Sequence, residues 1–200
     1  MKSPRVVQLT WPRTHRIIST RHPPIDLFED IADPAKWDAI ASGETKSNAR
    51  VMASIGRLNL VPLERRVGGA GSSYVMAPFT HVSPRRTGRF NDGNFGVYYA
   101  ASKFETAVAE TTFHNANLFS DTNERPGWFS QFRELVGAID IDIHDIRGDD
   151  RFSDCLNPDN YAQSQKLGVK LRAADSSGIA YPSVRDPEGD CVAAFWPDVI

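Results

Sequence analysis

Between residues 85 and 114 the chain reads RRTGRFNDGNFGVYYAASKFETAVAETTFH, which brings Arg89, Tyr98, Tyr99 and Glu110 onto adjoining elements. An arginine presents a planar fork of donors to phosphate or carboxylate groups. A tyrosine offers an aromatic face to a flat or cationic ring. A carboxylate fixed beside a cleft stabilises positive charge that develops there during reaction.

The local pattern predicts how these side chains are held. Gly88-Arg89-Phe90 runs into Asn91-Asp92-Gly93-Asn94, residues that tolerate the positive φ angles of tight turns. Gly96-Val97-Tyr98-Tyr99-Ala100-Ala101 then reads as a strand, so the segment is a hairpin or a tight loop between neighbouring strands. Alternation sends Val97, Tyr99 and Ala101 to one face and Tyr98 and Ala100 to the other, which gives the two tyrosines different roles. Ser102-Lys103-Phe104-Glu105 matches a capping box. The helix it opens is expected to bury Phe104, Ala107, Val108 and Thr111, with Glu110 on the flank, one turn from Ala107 and from His114.

The rest of the chain supplies support. Residues 1–24 hold Pro4, Pro12, Pro23 and Pro24, with Arg13, His15, Arg16, Arg21 and His22 among them, and read as extended segments with a short strand at Arg16-Ile17-Ile18. The basic residues form a solvated face, or one arginine meets a bound phosphate. Asp33-Pro34 starts a helix that ends near Gly43. Residues 52–63 lie between strand and irregular structure. Tyr74-Val75-Met76-Ala77 reads as a strand ended by Pro78, and Phe79-Thr80-His81-Val82 as a second extended piece. The clearest strand is Ala138-Ile139-Asp140-Ile141-Asp142-Ile143-His144, alternating at period two. Asn157-Pro158 opens a helix through Tyr161, Leu167 and Leu171 that ends near Asp175. The chain closes with a hairpin: residues 178–184, a turn at 185–189, and residues 191–196. Pro182 lacks an amide donor, so its strand is an edge or is broken at Ser183, which lets Ser183 face a cleft.

Two other features carry residue types that could do chemistry. Gly68-Gly69-Ala70-Gly71-Ser72-Ser73 lacks the Lys-Ser/Thr ending of a phosphate-binding P-loop and opens no obvious helix, so a flexible loop is the reading. Asp140, Asp142 and His144 share a strand face, but a wet sheet face accounts for them and no metal is assigned.

The whole composition narrows the classes. Two hundred residues, 40% hydrophobic and 24% charged, fit one domain spanning 1–200. A formal charge of -2 argues against a nucleic-acid coat and for a small-molecule or protein partner. Cys155 and Cys191 have no C-x-x-C spacing, which indicates neither a disulfide framework nor a cysteine zinc site and suits a reducing cytoplasm. No window approaches a membrane span and no export signal is visible.

Gly88-Arg89-Phe90-Asn91 followed by Gly96, then Tyr99, Ala107, Glu110, and Ser183 within Tyr-Pro-Ser-Val-Arg together resemble the RES-domain family, the toxin halves of bacterial RES–Xre toxin–antitoxin modules. Arg16-Ile17-Ile18 and Pro23-Pro24-Ile25 resemble the family's opening segment. The resemblance implies a compact α+β fold related to ADP-ribosyltransferases, with mixed sheets, flanking helices and a cleft for NAD. It implies that NAD is consumed as a substrate, by hydrolysis or phosphorolysis, with no resident cofactor; no Rossmann glycine fingerprint points to redox use. Arg89, Tyr99, Glu110 and Ser183 fall on the family's arginine, tyrosine, glutamate and late serine, and Arg16 on its early arginine.

Chemistry agrees with that assignment. Breaking the nicotinamide–ribose bond passes through an oxocarbenium-like transition state, which Glu110 would stabilise. Tyr99 would stack on the nicotinamide, Arg89 and Arg16 would bind pyrophosphate or ribose, and Ser183 would position rather than attack. The implied partner is an Xre-type antitoxin covering the cleft, with room for a homo-oligomer within that complex. The alternatives are a mono-ADP-ribosyltransferase acting on a cellular protein, and a non-catalytic RNA- or protein-binding module using Arg85, Arg86 and Arg89.

Overall fold

The computed structural model describes residues 3–21, 25, 33–44, 46, 50–123, 125, 127 and 129–200, with backbone alone at 50–52. His22, Pro23 and Pro24 lie outside the described residues. Five strands, β1 (Arg5–Ser19), β2 (Tyr98–Ala101), β3 (Phe132–Asp145), β4 (Gly178–Pro182) and β5 (Asp190–Ala194), close into a barrel in the order β1-β2-β5-β4-β3. Helices α1 (Trp37–Glu44), α2 (Arg50–Ile55), α3 (Ser72–Thr80), α4 (Phe104–Ser120) and α5 (Ala162–Ala173) accompany it, so strands and helices are mixed as expected of an α+β chain.

β1 and β3 form a long antiparallel ribbon from Arg5↔Asp145 to Ser19↔Phe132, with a register shift between Trp11 and Thr14. Pro12, which has no amide to donate, sits in that irregularity, where the ladder does not need it. The early prolines thus leave β1 extended well beyond the short segment expected around Arg16. β3 pairs parallel with β4, and β4 with β5 as the expected hairpin, from Gly178↔Ala194 to Pro182↔Asp190. β2 pairs with β5 over its length but meets β1 only through His15↔Ala101. That seam gains a second tie, because the Arg16 guanidinium donates to the Tyr99 carbonyl oxygen at 3.0 Å.

β4 and β5 are covered on both sides, which is why they read as apolar runs without alternation: Ile179, Ala180, Val192, Ala193 and Ala194 are fully buried. Phe90 packs edge-on against Tyr181 at 4.9 Å between ring centroids, and joins the loop before β2 to this core.

Several local expectations are corrected. Residues 52–63 are helical at first, in α2, and then form short turns of 3-10 helix at Leu58–Leu60 and Leu63–Arg65. Tyr74-Val75-Met76-Ala77 and Phe79-Thr80 lie in one helix, α3, begun by Gly71 at φ 88° and carrying Pro78 inside it. Burial at Ser72, Ser73, Met76, Phe79 and Thr80 follows a helical period that outweighs the proline. Asn157 caps a turn, its side chain accepting from the Asp159 and Asn160 amides, and α5 begins five residues on, at Ala162. At the start of α4 no side chain caps the helix; Lys103 is the N-cap residue and its Nζ donates to the Glu188 carbonyl. Phe104 and Val108 are exposed, and α4 buries Ala107, as expected, together with Thr106. The helix is oriented by what holds its first turn.

α5 runs close to the loop that carries Arg89, because Gly168 presses on the Phe90 carbonyl and any Cβ there would clash with it. Gly168→Ala is expected to lower stability by about 1–3 kcal/mol through overpacking, read from the denaturant midpoint. An unchanged midpoint would mean that α5 backs away without resistance.

Candidate active site

Glu110 and Ser183 are 73 positions apart and in direct contact: the Ser183 hydroxyl donates to Glu110 Oε1 at 2.6 Å. Ser183 follows the proline that ends β4, and its amide donates to the Gly189 carbonyl at 2.8 Å across the turn. Its Oγ also accepts from the amides of Arg185 at 3.1 Å and Asp186 at 3.0 Å. A hydroxyl has one proton and two lone pairs. With both lone pairs taken by amides, the proton is left for Glu110, and the carboxylate is fixed in orientation.

The turn is in turn fastened to the helix that bears Glu110. Thr106 Oγ1 donates to Asp186 Oδ2 at 2.6 Å, a bond that holds the Asp186 carboxyl below its usual pKa, and Lys103 holds the Glu188 carbonyl at 2.8 Å. Gly189 is required where it stands, because a Cβ would meet the Thr106 side chain. Glu110 Oε1 also lies 4.0 Å from the Cys191 sulfur. Burial first, and the Glu110 charge second, push the Cys191 thiol pKa up, so it stays protonated. Glu110 Oε2 faces His114 Nε2 at 3.9 Å.

Glu110 opens on a cleft of about 660 Å³ whose walls include His15, Arg16, Arg89, Tyr99, Tyr161 and Tyr181. Arg89 is 7% exposed. It donates to the carbonyls of Cys155 at 3.0 Å and Asn157 at 2.8 Å, and its guanidinium lies 4.5 Å from the centre of the Tyr161 ring. Arg16 lies over the Tyr98 ring at 4.4 Å, and burial lowers its pKa. Among the described residues no carboxylate forms a salt bridge with Arg16 or Arg89. Both cations are held by carbonyls and aromatic faces.

Tyr99 is held differently from Tyr98, as strand alternation requires. Its hydroxyl accepts from the Phe90 amide at 2.9 Å and donates to Asn91 Oδ1 at 2.9 Å. Burial raises its pKa strongly, so it remains a neutral phenol that braces the loop while its ring walls the cleft. Gly88 leaves room for this brace, since a Cβ would run into Asn91 Oδ1 and the Tyr99 hydroxyl.

The structure therefore brings Arg16, Arg89, Tyr99 and Glu110 to one cleft and puts Ser183 behind Glu110. Tyr161, Tyr181, Cys191 and His15 also contribute, and sequence reasoning did not single them out for this site. No local pattern marks them; each arrives from an element distant in the chain. Asp140, weighed as a metal ligand, is occupied by Gln8 and Thr10 of β1, both at 2.7 Å. No group of metal-ligating side chains is present among the described residues, nor any helix long and apolar enough to cross a membrane.

A family model described as RES domain matches residues 63–200, and the chain belongs to that family. The match contains Arg89, Tyr99, Glu110 and Ser183 and leaves Arg16 outside it. The chain is similar to the "Uncharacterized protein y4oC" of Sinorhizobium fredii, at 29% identity over 186 residues that make up 93% of this chain and 76% of that protein. Among solved structures it is similar to the M. tuberculosis MbcT-MbcA toxin-antitoxin complex, with 19% identity and a TM-score of 0.44 over 54% of this chain. The similarity spans 62% of the M. tuberculosis chain.

Ser183→Ala removes the donor to a partly buried carboxylate and is expected to cost about 1.5–3 kcal/mol of stability, measured by chemical denaturation. An unaltered protein would show that the carboxylate finds another donor.

Proposed function

We propose that this protein consumes NAD by breaking the bond between nicotinamide and ribose, and that it is the toxin of a toxin–antitoxin pair neutralised by an Xre-type antitoxin. The observation that carries the catalytic reading is the Glu110 carboxylate, oriented by Ser183 at 2.6 Å and facing a cleft that also presents two arginines with no salt bridge to a carboxylate among the described residues. Membership of the RES domain family supports the toxin reading, as does the resemblance carried by Arg89, Tyr99, Glu110 and Ser183.

The fit is chemical. NAD has a pyrophosphate that needs cations, a flat cationic ring that suits an aromatic wall, and a ribose whose anomeric carbon turns positive as nicotinamide leaves. Arg89 and Arg16 supply the first, Tyr99 the second and Glu110 the third. A second hollow of about 570 Å³ shares Arg16, Gly88 and Tyr99 with the cleft, which lends length for a dinucleotide. Ser183 acts as a positioning residue, because its hydroxyl is already committed. The work would be done in the cytoplasm, where NAD is available.

Purified protein incubated with NAD is expected to release nicotinamide, and Glu110→Gln to reduce that release by about a thousandfold while the fold is retained. Free ADP-ribose as co-product identifies water as acceptor; its phosphorylated form identifies phosphate; label retained on a lysate protein identifies an ADP-ribosyltransferase. Intact NAD, under conditions where the protein arrests growth, would refute NAD cleavage.

A further inference from the structure

His114 stands one helical turn beyond Glu110 on α4, at the mouth of the same cleft. Its Nε2 lies 3.9 Å from Glu110 Oε2, the carboxylate oxygen that Ser183 does not hold. At that separation the two do not hydrogen-bond directly, yet a single oxygen atom can sit within about 2.8 Å of both. The imidazole is 58% exposed and the carboxylate 23%, so one of the two reaches solvent while the other stays inside. The Phe113 ring meets the imidazole edge-on at 5.5 Å between centroids, and is itself covered by the Arg185 guanidinium at 3.3 Å. Arg185 in turn donates to the Pro158 carbonyl, which ties this rim across the cleft. The histidine is thus held beside the carboxylate with one face open to water.

From this geometry we infer that His114 accepts the proton of the water that attacks the ribose, as the general base of NAD hydrolysis. The inference rests on the NAD-cleaving reading above. The C–N bond to nicotinamide breaks and its electron pair leaves with the ring nitrogen, which gives neutral nicotinamide and a ribosyl cation beside Glu110. The water oxygen bonds to the anomeric carbon, and one of its protons passes to His114 Nε2 and then to solvent, leaving ADP-ribose. No oxidant, reductant or further reactant is required. Glu110, whose Oε1 is fixed by Ser183, faces the cation.

The charged and titratable groups around His114 come from several elements. Glu110 lies on its own helix, Arg185 on the turn between β4 and β5, Arg89 on the loop before β2, and Asp159, His15 and Arg16 line the same cleft. Burial has the largest effect and lowers its pKa below 6.5, Glu110 opposes this, and Arg185 and Arg89 add to it. The imidazole is therefore neutral at pH 7, which is the state a base requires. The rate of hydrolysis should rise with pH as His114 loses its proton, and level off once the imidazole is neutral.

The test is steady-state hydrolysis of NAD by full-length protein in phosphate-free buffer, from pH 5 to 8. His114→Gln is expected to lower kcat about a hundredfold, leave KM for NAD unchanged and abolish the acid limb. His114→Ala should lose as much and regain activity with added imidazole, which a packing role would not produce. If both variants keep the wild-type kcat and the wild-type acid limb, the inference is overturned while NAD cleavage stands. A wild-type protein that releases no nicotinamide in this buffer would overturn the inference, and one that also releases none with phosphate or lysate protein added would overturn NAD cleavage as well.

Discussion

The hydrogen bond from Ser183 to Glu110 is the contact on which the candidate site depends. It joins the end of β4 to the middle of α4, and the serine cannot turn without undoing its bonds to two amides. The amides of Arg185 and Asp186 spend the serine's acceptor capacity, Thr106 pins Asp186, and Lys103 pins Glu188. Each bond is modest alone. Together they make a carboxylate whose direction is set before any ligand arrives, which is the condition for electrostatic stabilisation of a developing cation. Barrel closure serves the same end, because pairing of β4 with β5, and of β5 with β2, brings Ser183 and Tyr99 to one side of the sheet.

The arginines show what that arrangement is built against. A guanidinium taken from water without a carboxylate partner is costly unless other groups replace its hydration. Arg89 finds two carbonyl oxygens and the Tyr161 ring; Arg16 finds the Tyr99 carbonyl and the Tyr98 ring. These partners hold the charge in place without neutralising it. An anionic ligand would meet cations already oriented and largely dehydrated, in a cleft where charge is weakly screened. The same partners explain why Arg89 does not belong to a surface available to RNA, since it is turned inward and only 7% exposed.

Much of this was legible in the sequence, and the limits have physical causes. The β3 alternation and the closing hairpin were readable because half-buried strands alternate and tight turns need particular residues. The four residues Arg89, Tyr99, Glu110 and Ser183 could be named because their order and spacing resemble the RES-domain family; without that resemblance Glu110 reads as a partly exposed helix carboxylate and Tyr99 as a core aromatic. What failed was local structure governed by distant packing. Tyr74-Val75-Met76-Ala77 has the composition of a strand, yet Met76 and Phe79 bury on a helical period, with the Pro78 and Phe79 backbone pressed on Gly96. Phe104 and Val108 look like a core stripe, yet α4 is rolled by its bonds to the hairpin turn so that they face outward. Tyr99 was readable as a cleft aromatic but not as a brace, because its partners Phe90 and Asn91 are known to it only through the loop's closed shape. Tyr161 and Tyr181 gave no local signal at all.

The central claim is that the cleft beside Glu110 binds NAD with its ribosyl carbon against that carboxylate. A crystal structure of Glu110→Gln soaked with NAD tests it most directly. The account predicts intact NAD with its anomeric carbon beside residue 110, nicotinamide against Tyr99 and pyrophosphate between Arg16 and Arg89. An empty cleft at saturating NAD, or a dinucleotide bound with its ribosyl carbon away from residue 110, would contradict it.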